Sequence, residues 1–147
     1  VGPLVHGDFR LGNVMLAPEA PARIVAVLDW EMSTIGDPLA DLGYLTALWV
    51  GPNDPSLGQY ELSPVTREDG FVTAAELVER YHERSGRSTS DMRWYRTLAL
   101  WKSAVFMEGN YKRAISGATD DPYLHGFGES VVELAERAYE LALGGTS

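Results

Sequence analysis

The stretch VHGDFRLGNVML, Val5 to Leu16, and the stretch IVAVLDWEMSTIGDPLADLGYL, Ile24 to Leu45, decide how this chain is read. Two apolar runs, NVML and RIVAVLD, flank the turn-forming APEAPA, a pattern that predicts a β-hairpin whose second, buried strand ends at Asp29. PLV, just before His6, reads as a further short strand. Asp37 followed by Pro38 marks a helix start, with an acid at the cap and a proline in the first turn. Leu39, Leu42, Leu45 and Leu48 then keep helical spacing towards Val50.

Further along, Gly51 to Gly70 is rich in Pro, Gly and Asp and has no apolar period, so it reads as a long surface loop of the kind that often carries function. Thr73 with Glu76 makes a capping box for a helix bearing Leu77, Val78 and Tyr81 and stopping near Gly86. Ser90 is placed to cap a third helix, from about Asp91 to Ile115. Its Trp94, Leu98, Trp101, Val105 and Phe106 mark it as the central core helix. A last amphipathic helix runs from about Gly128 to Leu143, with Gly144 past its end. No internal repeat is present. The expected fold class is α+β and mostly helical, a single domain over residues 1–147 in which a small hairpin carries its loops beside a helical body.

Composition narrows the functions. Hydrophobic residues make up 45% of the 147 positions and aromatics 10%, too many for a disordered segment. A net charge of -9, from 21 acidic against 12 basic residues, argues against nucleic acid and anionic membranes as partners, since both need clustered Lys and Arg. No apolar run approaches the ~18 residues of a spanning helix, and the first residues lack a signal-peptide pattern. Without cysteine there are no disulfides or thiolate metal sites. A soluble, cytoplasmic protein is the expectation.

The chemistry concentrates in HGDFRLGN. His6, Asp8 and Asn13 fit the spacing H-x-D-x-x-x-x-N, which serves phosphoryl transfer for a physical reason. A carboxylate must accept the proton of an attacking hydroxyl, and a neutral oxygen five residues on can hold a magnesium ion that bridges nucleotide phosphates. Asp8 suits the first role and Asn13 the second. Asp29, at the end of the second hairpin strand, returns beside the loop and suits the anionic ligand that such a metal needs.

HGDFRLGN, LDWE and GDPLADL together resemble the carboxy-terminal lobe of the aminoglycoside phosphotransferase and choline kinase superfamily. The nearest resemblance is to phosphotransferases related to the kinase-like domains fused to acyl-CoA dehydrogenases, and LALWKSAVFMEGNYKR, Leu98 to Arg113, adds to it. The resemblance covers nearly the whole chain. It implies a protein-kinase-like fold, Mg2+ as cofactor, and transfer of the γ-phosphate of ATP or GTP to the hydroxyl of a small-molecule acceptor. It makes Asp8 the catalytic base, Asn13 and Asp29 the metal ligands, and Asp41 a brace of the catalytic loop. Arg10 stands where many protein kinases have a lysine that reaches the transferred phosphate. DWE, Asp29 to Glu31, replaces the D-F-G of protein kinases, so the flexible aromatic-glycine switch is missing. The amino-terminal lobe that the resemblance implies is expected to lie outside these residues. Seven residues precede Asp8, the only lysines are Lys102 and Lys112, and there is no G-x-x-x-x-G-K-[ST].

Each residue also has a plainer reading. His6 is expected to support the loop and not to move a proton. Asp37 is expected to cap a helix. Asp41 reads equally as a brace or as an acid suiting a helix dipole, and Arg10 equally as a phosphate contact or an internal salt bridge. Glu31 reads as near the metal or as a surface acid, and His82 and His125 as surface or loop histidines. The leading expectation is the catalytic lobe of a small-molecule kinase, inactive or nearly so by itself and prone to self-association through the face its partner lobe would cover. The rival is a kinase-derived binding or scaffolding module.

Overall fold

The computed structural model describes residues 2–145, apart from the side chain of Gln59. APEAPA turns the chain back as its composition predicts: β2 (Val14–Leu16) pairs antiparallel with β3 (Ile24–Val27), setting Val14 opposite Val27, with a bulge between Met15 and Leu16. A second ribbon pairs β1 (Leu4–Val5) with β4 (Thr34–Ile35), a strand the sequence does not announce. It brings the two ends of the 5–34 segment together, Val5 opposite Thr34.

Helices form the rest: α1 (Leu39–Ala47), α2 (Ala74–Ser85), α3 (Met92–Ile115), a short α4 (Pro122–His125) and α5 (Phe127–Ala142). The start and stop signals act largely as written. Asp37 Oδ1 accepts from the Leu39 N–H at 3.0 Å, and the Tyr95 hydroxyl on α3 donates to Asp37 Oδ2 at 2.8 Å, which ties the start of α1 to α3. These two donors, the Leu39 amide first, hold the Asp37 carboxyl below its ordinary range. Thr73 and Glu76 form the full capping box of α2, and Gly86 closes that helix in the left-handed region. Ser90 does not cap α3; its hydroxyl engages Ser88 and Asp91, and Asp91 is the N-cap.

The main core joins α1, α3 and α5 through Leu48, Leu100, Met107, Phe127 and Leu134, and a smaller cluster sets Leu39 and Leu42 of α1 against Met92. Of the aromatic residues of α3, Tyr95 and Tyr111 pack against these clusters, and Trp94, Trp101 and Phe106 do not. Trp94 is 59% exposed, Trp101 57% and Phe106 62%. The buried residues of α3 are instead Met92, Ala99, Leu100, Ser103, Ala104, Met107 and Ala114, among which the small ones let neighbouring helices approach. At the crossing with α1 the fit is closest at Gly43, where a Cβ would lie 2.7 Å from Tyr95 Cβ and 2.8 Å from its backbone. The hairpin is exposed as well. Ile24 and Val25 of β3 lie open, contrary to the buried strand expected from their branching, because no second layer among the described residues covers the ribbon.

Residues 51–70 are not a plain surface loop either. They carry 3-10 turns at Gly58–Tyr60 and Pro64–Arg67 and bury Leu57, Tyr60, Ser63 and Thr66. Thr66 Oγ1 accepts from Val50 N and donates towards the carbonyls of Val50 and Ser63. Arg67 reaches the carbonyls of Gly51, Asp54 and Pro55 while its Nε and Nη2 hold both oxygens of Glu61. Side chains bonded to backbone do here what periodic structure does elsewhere, and such bonds leave no hydrophobic period to read. No helix among the described residues is long and apolar enough to cross a membrane.

Two predictions follow from this packing. Gly43→Ala overpacks the α1–α3 crossing and lowers stability by about 1–3 kcal/mol in urea unfolding. The hydrogen bonds from Arg67, with help from the Leu57 N–H, hold the Glu61 carboxyl down to about 2, against an ordinary 4.5. Stability from this pair is therefore complete above pH 4.5 and is lost as the pH falls towards 2. Unfolding midpoints measured between pH 5 and pH 2 should fall less steeply for Glu61→Gln than for the parent.

Candidate active site

The loop that carries Asp8 is bound from below by one carboxylate. Asp41, in the first turn of α1, accepts the His6 N–H on Oδ2 at 2.7 Å and the Gly7 N–H on Oδ1 at 2.8 Å. These are charge-assisted bonds to backbone groups that have no partner in a strand or helix. Gly7 has φ of 86°, and a Cβ there would lie 2.5 Å from the Met32 carbonyl oxygen, so both conformation and space require glycine. His6 is 2% exposed and lies 4.7 Å from the Trp30 ring, centroid to centroid. Its Nε2 is 2.8 Å from the Leu28 carbonyl and its Nδ1 is 3.2 Å from the Asp8 N–H, a pair of demands that the Nε2–H tautomer satisfies. The imidazole thereby links the loop to the end of β3.

Asp8 is half-buried and faces Asn13. The Asn13 amide donates to the Asp8 carbonyl at 2.8 Å and to Asp8 Oδ2 at 2.9 Å, which leaves the Asn13 Oδ1 as a bare acceptor. Arg10 Nε lies 3.5 Å from the same Asp8 oxygen, so Arg10 forms the internal salt bridge. The guanidinium rests against Gly12, where a Cβ would collide with it. Hairpin register brings Asp29 to the same place, since the Leu28 N–H donates to the Asn13 carbonyl at 2.8 Å and Asp29 is the next residue. Asp29 has φ of 68°, the sole non-glycine positive φ among the described residues, and its exposed carboxylate has no hydrogen bond or ion pair there. A left-handed aspartate is strained by about 1–2 kcal/mol, and the surrounding hairpin holds it so.

No cluster of three or more His, Asp or Glu side chains that could hold a metal ion occurs among the described residues. Magnesium does not require one. It keeps several waters and takes one or two protein oxygens beside substrate phosphates, and Asn13 Oδ1 with the Asp29 carboxylate offers that donor set.

In front of Asp8 lies a cleft of about 210 Å3. Lys102 enters it from α3, donates to the Gly7 carbonyl and lies 5.5 Å from the centre of the Tyr44 ring. Tyr60 and Ser103 meet through their hydroxyls. Burial raises the phenols of Tyr44 and Tyr60, and in Tyr44 the neighbouring Tyr60 and Asp8 add to the rise, so both stay protonated at neutral pH. Met32, Leu62, Phe106 and Phe127 make most of the remaining wall apolar. Sequence reasoning sets Lys102 aside as far downstream and takes Phe106 for core. The signal that places them here is helical phase: with Ser103 between them, Lys102 and Phe106 lie one turn apart. Glu31 is exposed in the 3-10 turn after Asp29, and His82 and His125 are both exposed. Removing the clamp with Asp41→Ala should cost about 2–3 kcal/mol in urea unfolding, the loss of two charge-assisted bonds from part-buried backbone groups.

Comparison with known proteins bears on this arrangement. The pattern of the phosphotransferase enzyme family (APH) matches residues 3–63. Acyl-CoA dehydrogenase family member 11 of Gallus gallus is 36% identical over 142 residues, covering 95% of this chain and 18% of the relative. Family member 10 of Mus musculus is 35% identical, covering 95% of this chain and 13% of the relative. The Arabidopsis thaliana protein named probable acyl-CoA dehydrogenase IBR3 is 28% identical over 78% of this chain and 14% of its own length. The chain thus spans less than a fifth of these relatives. No solved structure gives a match. The match to the phosphotransferase enzyme family spans the segment that holds His6, Asp8, Asn13, Asp29 and Asp41, in a chain similar along 95% of its length to acyl-CoA dehydrogenase family members 10 and 11.

Proposed function

We propose that this chain is the carboxy-terminal catalytic lobe of a kinase that moves the γ-phosphate of ATP or GTP to a hydroxyl of a small-molecule acceptor. The observation that carries the reading is the placing of Asp8: its carboxylate is steered by Asn13, whose backbone carbonyl bonds the residue before Asp29, and opens on a cleft that Arg10 and Lys102 also line. Asp8 accepts the proton of the acceptor hydroxyl as the oxygen attacks phosphorus. Arg10 leaves Asp8 for the phosphoryl oxygens as negative charge gathers on them, and Lys102 adds a second cation at the loop. Asn13 and Asp29 hold magnesium, which when bound offsets charge on the nucleotide phosphates. His6 and Asp41 keep the loop in shape and touch no reacting atom.

The aromatic and aliphatic wall of the cleft orients the acceptor. A nucleotide-covering loop and a phosphate-gripping lysine have no counterpart among these residues, so a separate lobe supplies them and the chain alone does not turn over. That lobe rests on the open hairpin, where Leu16, Ile24, Val25 and Leu28 are exposed. The relatives' names place a dehydrogenase in the same polypeptides, which accords with a kinase lobe that works within a longer protein.

Calorimetric titration of the purified chain with a non-hydrolysable ATP analogue, with and without magnesium, tests the division of labour. No heat of binding is expected in either case, and magnesium-dependent binding would mean that the lobe needs no partner. In the full gene product, Asp8→Ala should lower turnover by about 10²–10⁴-fold while the fold is kept, and undiminished turnover would overturn the assignment. Asp29→Gly relieves the left-handed strain, so the melting temperature should hold or rise while magnesium-dependent turnover is lost. Sedimentation of the isolated chain should give species heavier than the 16.1 kDa monomer, with a concentration dependence that reflects burial of the hairpin face.

A further inference from the structure

A second cavity, of about 220 Å3, lies between α3, α5 and the segment that follows α1. Val50, Leu57, Leu100 and Leu141 supply apolar wall, and Arg96 and Arg137 line it as well. Arg96 has an unmet requirement. Its Nε is buried without a hydrogen-bond partner, and among the described residues its guanidinium takes part in no hydrogen bond or ion pair. Burial disfavours the charged form here, yet an arginine does not give up its proton, so the group needs an acceptor. Two acids also line the cavity, Asp54 and Glu140. Asp54 acts on Arg96 through space, but its Oδ2 is turned to the Gly51 N–H at 2.6 Å, and the segment that carries it is fastened by Arg67. Arg137 spends one N–H on the Ser56 carbonyl and has others to offer.

We propose that this cavity binds a small monocarboxylate with an apolar body, its carboxylate on Arg96 and Arg137 and its hydrocarbon against Leu57, Leu100 and Leu141. A guanidinium fork matches a carboxylate, and apolar walls strengthen that pairing by excluding water. Two arginines against two acids give the lining no net charge, which disfavours a polyanion, and the match to one carboxylate rests on the open N–H groups of Arg96 and Arg137. The volume is below the ~300–1,000 Å3 of drug-sized sites, which limits the body to a short chain or one ring. The site is separate from the phosphoryl-transfer cleft, and its test needs no turnover.

The test is titration of the chain with hexanoate and with hexanamide, followed by amide and indole NMR. Hexanoate should shift the signals of Leu57, Leu100, Leu141 and the Trp49 indole saturably, and hexanamide should bind about tenfold more weakly or worse. Arg96→Met should weaken hexanoate by about tenfold or more, and it should keep the fold because an apolar chain replaces a half-buried guanidinium whose Nε has no partner. Arg137→Met asks the same from the other side of the carboxylate and leaves Arg96 in place. Absence of saturable shifts, equal binding of the amide, or undiminished affinity in both variants would overturn the proposal and leave a cavity in which Arg96 is met by water.

Discussion

The carboxylate of Asp41 is the interaction on which the rest of the site depends. It takes two consecutive backbone N–H groups, of His6 and Gly7, from a loop that has no ladder of its own to satisfy them. Because Asp41 is built into α1, and α1 is fixed to α3 at Gly43 and through the Tyr95–Asp37 bond, the loop inherits the rigidity of the helical core. Lys102 adds a tie from α3 to the Gly7 carbonyl. Asp8 is the next residue after this fastened pair, so its backbone is fixed before Asn13 orients its carboxylate.

Much of this was legible in residues 5–45, and the reason is that local rules govern there. Turn residues between apolar runs gave the β2–β3 pairing, and the pairing alone carries Asp29 to Asn13. Thr73 with Glu76, and Asp37 with Pro38, marked helix starts through caps that act within a few residues. The β1–β4 pairing was not legible, since two-residue strands have no periodicity to detect. Residues 51–70 misled because their order comes from Thr66 and Arg67 bonding distant carbonyls.

The misplaced aromatics of α3 have a different cause. Hydrophobic spacing tells which residues share a helix face and says nothing of which face meets a neighbour. Small side chains, Ala99, Ser103 and Ala104, took the buried side because α1 and α5 pack closely there, and Trp94, Trp101 and Phe106 were left outward. The cleft wall was hidden for the same reason: Tyr44, Tyr60, Lys102 and Phe127 come from four parts of the chain and converge only through packing.

The β1–β4 ribbon works as a clasp. It shuts the segment from Val5 to Thr34 into a closed ring that contains the proposed proton acceptor and both metal-ligand candidates, whereas most of the wall facing them belongs to residues outside the ring. Two design problems are thereby separated along the chain. Substitutions in the later helices at positions other than Lys102 can reshape what enters the cleft without altering Asp8, Asn13 or Asp29.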